Sequence, residues 1–229
     1  MAQWYAKKYG GYLRTDAEAE NNALMIYNLL TSLGWSINPI CAVLGNMEAE
    51  SEYNPWRWEN DDVPDYSEAY DWGNGYGLTQ FTPARKYIFD PNAQSMSGYA
   101  PNFYDIVGSA SDGNAQMLFV DQYADYYSTS SYPESYAEFK VSNSSIDYLT
   151  EAWCFNYERP GDPWSSMQRR KDAAADWYNF LSGAPTPPTP PDPPTPPDPP
   201  IIPSGPIDFV VTAAINKRRK RIQQVYKPK

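Results

Sequence analysis

The sequence predicts a mainly α-helical domain with a small β excursion, followed by a proline-rich linker and a short basic tail. Apolar residues recur at intervals of three and four in several stretches, which is the spacing of one helix face. A polar, turn-rich stretch interrupts them between residues 53 and 112, and 13 of the 23 residues from 184 to 206 are proline. We therefore expect a folded domain over residues 1–183, a linker over 184–206 and a tail over 207–229.

Five helices are predicted in the domain. The first begins at Asp16 and ends at Gly34. The second is predicted to begin at Asn38, because Asn is a favourable N-cap and Pro39 suits the first helical position. The other three cover about residues 114–127, 145–156 and 165–182, and the last of them ends at Ser182-Gly183.

The second helix carries a glutamate on its apolar face. Glu50 follows Met47 by three residues, and Met47 follows Val43 by four. Because burial disfavours a charged carboxylate, we expect a raised pKa for Glu50, which suits proton donation to a leaving oxygen. A structural hydrogen bond at the helix end is the alternative interpretation. Glu48 and Glu52 lie on other faces, and we expect them to be solvated.

A glycine-rich motif follows about 20 residues later and reads Asp71-Trp72-Gly73-Asn74-Gly75-Tyr76-Gly77-Leu78-Thr79-Gln80-Phe81. Its glycines permit tight turns and a close approach of the backbone to a ligand. We therefore predict a small β-hairpin beside a cleft, followed by an extended piece over residues 78–81. The helix and the hairpin together would place the carboxyl groups of Glu50 and Asp71 at one site.

These motifs resemble those of the lysozyme-like superfamily. Residues 40–55 and 75–83 are similar to phage tail lysozymes. Residues 71–80 resemble goose-type lysozyme, which has an acid, a Gly-Asn-Gly turn, an aromatic residue and Gly-Leu-x-Gln at matching spacing. Residues 156–160, Asn-Tyr-Glu-Arg-Pro, occupy the place of a late tyrosine-containing motif in both relatives. The resemblance covers about residues 10–182 and implies a mainly α, lysozyme-like α+β fold.

The resemblance also implies roles for the two acids. Glu50 would be the general acid of a glycosidase, and Asp71 would position the attacking water. The chain departs from the goose-type pattern at Thr82, where those enzymes carry another aspartate, and in a longer stretch between the two acids. The predicted substrate-binding residues lie beside these motifs and are Ser51, Tyr76, Gln80, Tyr157 and Glu158.

Several aromatic residues flank the two acidic motifs, namely Trp56, Trp58, Trp72 and Tyr76. Sugar contact is one interpretation of their position, because flat rings pack on the apolar faces of sugars. Core packing is the other, because aromatic side chains bury large apolar areas wherever they lie.

The implied activity is that of a peptidoglycan muramidase, which cleaves between N-acetylmuramic acid and N-acetylglucosamine without a metal or organic cofactor. An inverting reaction follows if the two carboxyl groups lie about 6.5–9.5 Å apart. One alternative is a lytic transglycosylase, in which a single glutamate acts as acid and base. The other is a non-catalytic structural protein of a virion that only binds glycan.

The composition restricts the remaining chemistry. Histidine is absent and Cys41 and Cys154 are the only cysteines, so zinc sites of the usual Cys/His type and Ser-His catalysis are excluded. We expect both thiols to be reduced and buried. No run of 18 apolar residues and no apolar signal core is present. We therefore expect synthesis in the host cytoplasm and release by lysis or by packaging into a phage virion.

The linker and the tail differ sharply from the domain in composition and charge. As extended polyproline II at about 3.1 Å per residue, the linker would span roughly 70 Å. Residues 207–229 carry a formal charge of +6, whereas residues 1–183 carry −14. We expect the tail to bind other virion proteins and to have no dedicated nucleic-acid site, with a solvated terminus as the alternative.

Overall fold

The structure is a computed structural model, and it describes residues 3–7, 15–59, 73–95, 97–108 and 112–183. The chain divides into two compact units, residues 1–177 and 178–229. Of the second unit, only residues 178–183 are described, and residues 178–182 form the end of the last helix. The predicted linker and tail lie outside the described residues, so the proposed segment boundaries stay predictions.

The described residues form a mainly α-helical fold, as predicted. Their six α-helices are α1 (Asp16–Ser32), α2 (Ile37–Glu50), α3 (Gly113–Tyr123), α4 (Tyr136–Lys140), α5 (Ile146–Trp153) and α6 (Trp164–Ser182). A π-helical turn, Cys154–Glu158, continues α5 directly. Within the described ranges, β structure is limited to two isolated bridges, Trp58 with Tyr76 and Phe89 with Val107.

Helix α2 lies at the centre of the core. Every residue from Pro39 to Met47 is buried, and the helix packs against α1, α4 and α5. Gly45 allows α6 to approach closely, because a Cβ at this position would overlap the carbonyl oxygen of Arg170 and the Cβ of Ala174. The core therefore surrounds α2 on several sides, and the helix leads directly to Glu50 at its end.

The helix starts were only partly predictable. Thr15 caps α1 through a capping box with Glu18, in agreement with the predicted start at Asp16. The predicted cap of α2 is wrong: Ser36 is the N-cap, and the Asn38 side chain donates a hydrogen bond to the Ser144 carbonyl at 3.0 Å instead. Helix α4 was not predicted, because it has only five residues.

The described part of the glycine-rich motif, residues 73–81, forms turns, with an isolated antiparallel bridge between Trp58 and Tyr76. The Gly77 amide donates to the Arg57 carbonyl at 2.7 Å, and the Glu59 amide donates to the Gly75 carbonyl at 2.9 Å. The predicted extended piece over residues 78–81 is wrong, since Gly77 and Gln80 have φ values of 77° and 48°. The cause is a distant residue: the Gln116 side chain of α3 accepts from the Leu78 amide at 2.8 Å and occupies the space beside Gly77.

Both cysteines are free and buried, as expected. Burial raises the pKa of the Cys41 thiol to about 12 and that of Cys154 to about 11. No helix within the described part of the chain is both long and apolar enough to cross a membrane.

Candidate active site

The end of α2 is hydrogen-bonded to the glycine-rich motif. Glu50 is the last residue of α2, and Ser51 follows as its C-cap. The Ser51 hydroxyl is buried and donates to the Leu78 carbonyl at 2.8 Å. This contact fixes the position of the predicted acid relative to the motif, whereas the predicted contact of Ser51 with substrate stays a prediction.

Glu50 pairs with an arginine of α6. Its Oε1 lies 2.5 Å from Nη2 of Arg170, with exposed side-chain fractions of 19% for Glu50 and 5% for Arg170. The guanidinium also donates to Asn46 Oδ1 and to the Ser166 hydroxyl, both at 3.0 Å. Glu50 thus ends the buried apolar face of α2, as predicted, but α6 also places a positive charge beside its carboxyl group, which was not predicted.

Arg170 was missed from sequence, although a signal for it exists. Met167, Arg170, Ala174 and Trp177 follow one another at intervals of three, four and three, and all four are buried. This is the same spacing that places Glu50 on the apolar face of α2. Two apolar helix faces that each carry one charge, of opposite sign, favour an ion pair where the helices meet.

Glu158 is the carboxyl group of this region whose neutral form is favoured. It ends the π-helical turn, and its Oε1 accepts a hydrogen bond from the Trp153 indole at 2.8 Å. Burial, and secondarily the negative charge of Glu50, raise the pKa of Glu158 well above its ordinary 4.5, and Arg170 opposes this effect. The sequence indicated Glu158 as a binding residue and gave no sign of its protonation.

A pocket of about 100 Å³ lies between the glycine-rich motif and the π-helical turn. Three of the predicted substrate-binding residues line it, namely Gln80, Tyr157 and Glu158. The hydroxyl groups of Thr79 and Tyr157 lie 3.1 Å apart and connect the glycine-rich motif with the π-helical turn. Burial raises the pKa of Tyr157, so its hydroxyl is neutral at physiological pH.

The remaining predicted residues lie elsewhere. Tyr76 is buried and packs on Trp58, with ring centroids 4.6 Å apart, which favours core packing for both. Asp71 and Trp72 lie outside the described residues. The structure therefore gives no distance between the two predicted catalytic carboxyl groups, and the roles assigned from sequence stay predictions.

The expectation that Glu48 and Glu52 are solvated is wrong. Glu48 is partly buried, and its Oε2 accepts a hydrogen bond from the Tyr53 hydroxyl at 2.7 Å. Burial is the main cause of a raised pKa at Glu52, which also is only partly exposed. Among the residues that the structure describes, no cluster of Cys, Asp and Glu has the arrangement of a metal site.

A mainly α domain whose central helix ends in a glutamate, beside a glycine-rich turn and a polar pocket, is of the lysozyme-like class. The chain matches the model of the phage tail lysozyme family over residues 21–181, and it belongs to this family.

Among proteins with curated descriptions, it is 32% identical over 164 residues to Morphogenesis protein 1 of Bacillus phage B103. That alignment covers 71% of this chain and 40% of the relative, so the chain spans less than half of that protein.

Proposed function

We propose that this protein is a muramidase that cleaves peptidoglycan between N-acetylmuramic acid and N-acetylglucosamine. Membership of the phage tail lysozyme family supports the reaction class. The observation that carries the proposal is the position of Glu50, which ends the buried helix α2 and is held at the glycine-rich motif through Ser51.

Glu50 is the proposed general acid. Arg170 contacts only Oε1 of its carboxyl group, and among the described residues Oε2 has no hydrogen-bond partner. The ion pair therefore orients the carboxyl group and leaves one oxygen for the leaving oxygen of the glycan. The rigid support of α2 and α6 suits this role, because proton donation needs an acid within hydrogen-bond reach of the leaving group.

Asp71 is the proposed base that directs water to the opposite face of the sugar. Hydrolysis by an acid and a base of this kind is a single displacement that inverts the anomeric carbon. A lytic transglycosylase would form a 1,6-anhydro sugar instead, and mass spectrometry of the products distinguishes these two reactions. The proposed chemistry needs no metal and no organic cofactor.

The proposed place of action is the phage particle. The family is one of phage tails, and the relative from phage B103 is named a morphogenesis protein. We propose that the protein is a virion-associated lysin, made in the host cytoplasm, whose partners are bacterial peptidoglycan and, through residues 207–229, other virion proteins.

The decisive experiment compares two neighbouring glutamates on purified peptidoglycan. Glu50→Gln should reduce glycan cleavage at least about a hundredfold, because an amide keeps the acceptor for Arg170 and cannot donate the proton. Glu48→Gln is the matched control on the same helix; it keeps an acceptor for Tyr53 and should retain activity within about twofold. Full activity of the Glu50 variant would contradict the assignment, and an inactive wild-type protein on several wall types would contradict the function.

A further inference from the structure

The pocket beside Glu158 has two walls of different chemistry. Three aromatic rings form the first wall, since Phe81, Tyr87 and Phe119 are mutually in contact with centroid separations of 5.4 to 5.6 Å. The second wall is lined by Thr79, Tyr157 and Glu158, with the charged residues Asp125 and Arg159 also at the pocket. A small group with an apolar end and a polar end would satisfy both walls.

Glu158 has no positive partner of its own, because the neighbouring cations are paired with other carboxylates. Arg170 of α6 pairs with Glu50 of α2 at 2.5 Å. Arg159 lies next to Glu158 in the chain, and its Nη2 is 3.5 Å from Oδ2 of Asp125. Within the described residues Glu158 forms no ion pair, and its recorded hydrogen bond is the one from the Trp153 indole.

The titratable groups around Glu158 favour its neutral form. Glu50 faces it from α2 and contributes to the raised pKa of Glu158, and Asp125 borders the same pocket. Arg170 and Arg159 oppose them while remaining bound to those same carboxylates. Tyr157 and Tyr87 keep their protons at neutral pH, because their phenol pKa values are raised by burial.

A neutral carboxylic acid donates one hydrogen bond, whereas a carboxylate only accepts. Oε1 of Glu158 accepts from the Trp153 indole, so a proton on Oε2 is not engaged by that hydrogen bond. The pocket thus offers one strong donor, hydroxyl oxygens that accept, and an apolar wall. An acetamido group has the complementary set, namely a carbonyl oxygen, an N–H group and a methyl group.

We propose that this pocket binds the acetamido group of an N-acetylhexosamine residue, with the Glu158 carboxyl group donating to the carbonyl oxygen. The methyl group packs against Phe81, Tyr87 and Phe119, and the N–H group donates to the hydroxyl oxygens of Thr79 and Tyr157. The volume of about 100 Å³ suits one such substituent rather than a whole sugar ring. The choice of an acetylated glycan rests on the proposed function.

The proposal has a distinctive pH dependence. When Glu158 loses its proton, the carboxylate repels the carbonyl oxygen that it had bound. Affinity for an acetylated sugar therefore falls as the pH rises through the raised pKa of Glu158. A purely structural Glu158 would not couple sugar affinity to pH in this way.

The test is titration calorimetry of the full chain with chitotriose and with cellotriose, which lacks acetamido groups, between about pH 5 and about pH 9. Chitotriose should bind about tenfold more tightly than cellotriose at the acidic end, and this preference should decline with pH. Glu158→Gln should keep the preference at every pH, because its amide remains a donor. Glu158→Ala should lose the about tenfold preference for chitotriose over cellotriose.

Glu52→Gln is the matched control, because Glu52 also has a raised pKa and does not line the pocket. This variant should retain the pH dependence of the wild-type protein. The proposal is overturned if wild-type protein binds both sugars equally, or if Glu158→Gln retains the pH dependence. The assay measures binding alone, so pH-dependent chitotriose binding by a protein that does not cleave peptidoglycan would contradict the muramidase proposal only.

Discussion

Glu50 and Glu158 are two partly buried carboxyl groups that differ in what faces them. Glu50 has a guanidinium at 2.5 Å, which itself is held by Asn46 and Ser166. Glu158 has an indole N–H, and the arginines near it are paired with other carboxylates. The comparison shows that two partly buried carboxyl groups can have different partners, since Glu50 has a cation within contact distance and Glu158 has a neutral donor.

The same comparison separates two kinds of contribution to a glycan cleft. A paired carboxyl group is fixed in position, which suits a residue that must meet a particular oxygen. A buried carboxyl group without a close cation favours its neutral form, which suits a residue that donates a hydrogen bond.

The largest effect is expected at the third carboxyl group, the one on Asp71. Asp71→Asn should slow glycan hydrolysis about a hundredfold, the usual scale for loss of a general base. Reducing-end release from purified peptidoglycan measures the rate, and an unchanged melting temperature controls for folding. An unchanged rate would mean that Asp71 only shapes the turn, and would favour the transglycosylase.

Removing the positive charge of Arg170 should leave Glu50, like Glu158, without a cationic partner. Arg170→Met should lower the free energy of unfolding by about 2 kcal/mol, less than for a fully buried pair because Glu50 is 19% exposed. Chemical denaturation measures this loss. Adding Glu50→Gln to Arg170→Met should recover part of it, because no unpaired charge then remains; additive losses in the double variant would show that the pair is not coupled.

Glu158 should make stability depend on pH in a defined direction. Its pKa in the folded state is raised above the ordinary 4.5, so its stabilising contribution is complete below that pH and is lost as the pH rises through the folded-state pKa. Glu158→Gln cannot ionise. Its free energy of unfolding should therefore increase relative to wild type as the pH is raised above 4.5 in a urea denaturation series. A constant difference would show that Glu158 is not neutral in the fold.

The smallest effect on chemistry is expected from truncation after Gly183. Residues 1–183 contain all of the proposed catalytic and binding residues, so the shortened protein should fold and cleave purified peptidoglycan at about the wild-type rate. It should lose association with the phage particle, measured by co-sedimentation at low and high salt. Unfolding of the shortened protein would place the tail in the core.

Helices were predictable from the sequence because their signals are local. The apolar spacing located α1, α2, α3, α5 and α6, whereas the start of α2 was missed because Asn38 bonds to Ser144, a residue 106 positions away. The turn at residues 78–81 was missed for the same kind of reason, since Gln116 of α3 shapes it.

The candidate site shows the same limit more clearly. The sequence placed Glu50 at the end of α2 and named three residues of the pocket, because motifs and helix spacing are readable along the chain. It did not reveal that Arg170, 120 residues later, is the partner of Glu50. Partners at that separation follow from tertiary packing, and the protonation of Glu158 depends on them in turn.

Gly45 determines how closely α6 approaches α2 near the Glu50–Arg170 ion pair. Gly45 lies five residues before the proposed acid, Glu50. Because it has no side chain, the backbone of α6 at Arg170 and Ala174 lies directly against α2. A methyl group at this position would push α6 outward and move the guanidinium of Arg170 away from Glu50. The distance between the proposed acid and its counter-ion therefore depends on the absence of a side chain at Gly45.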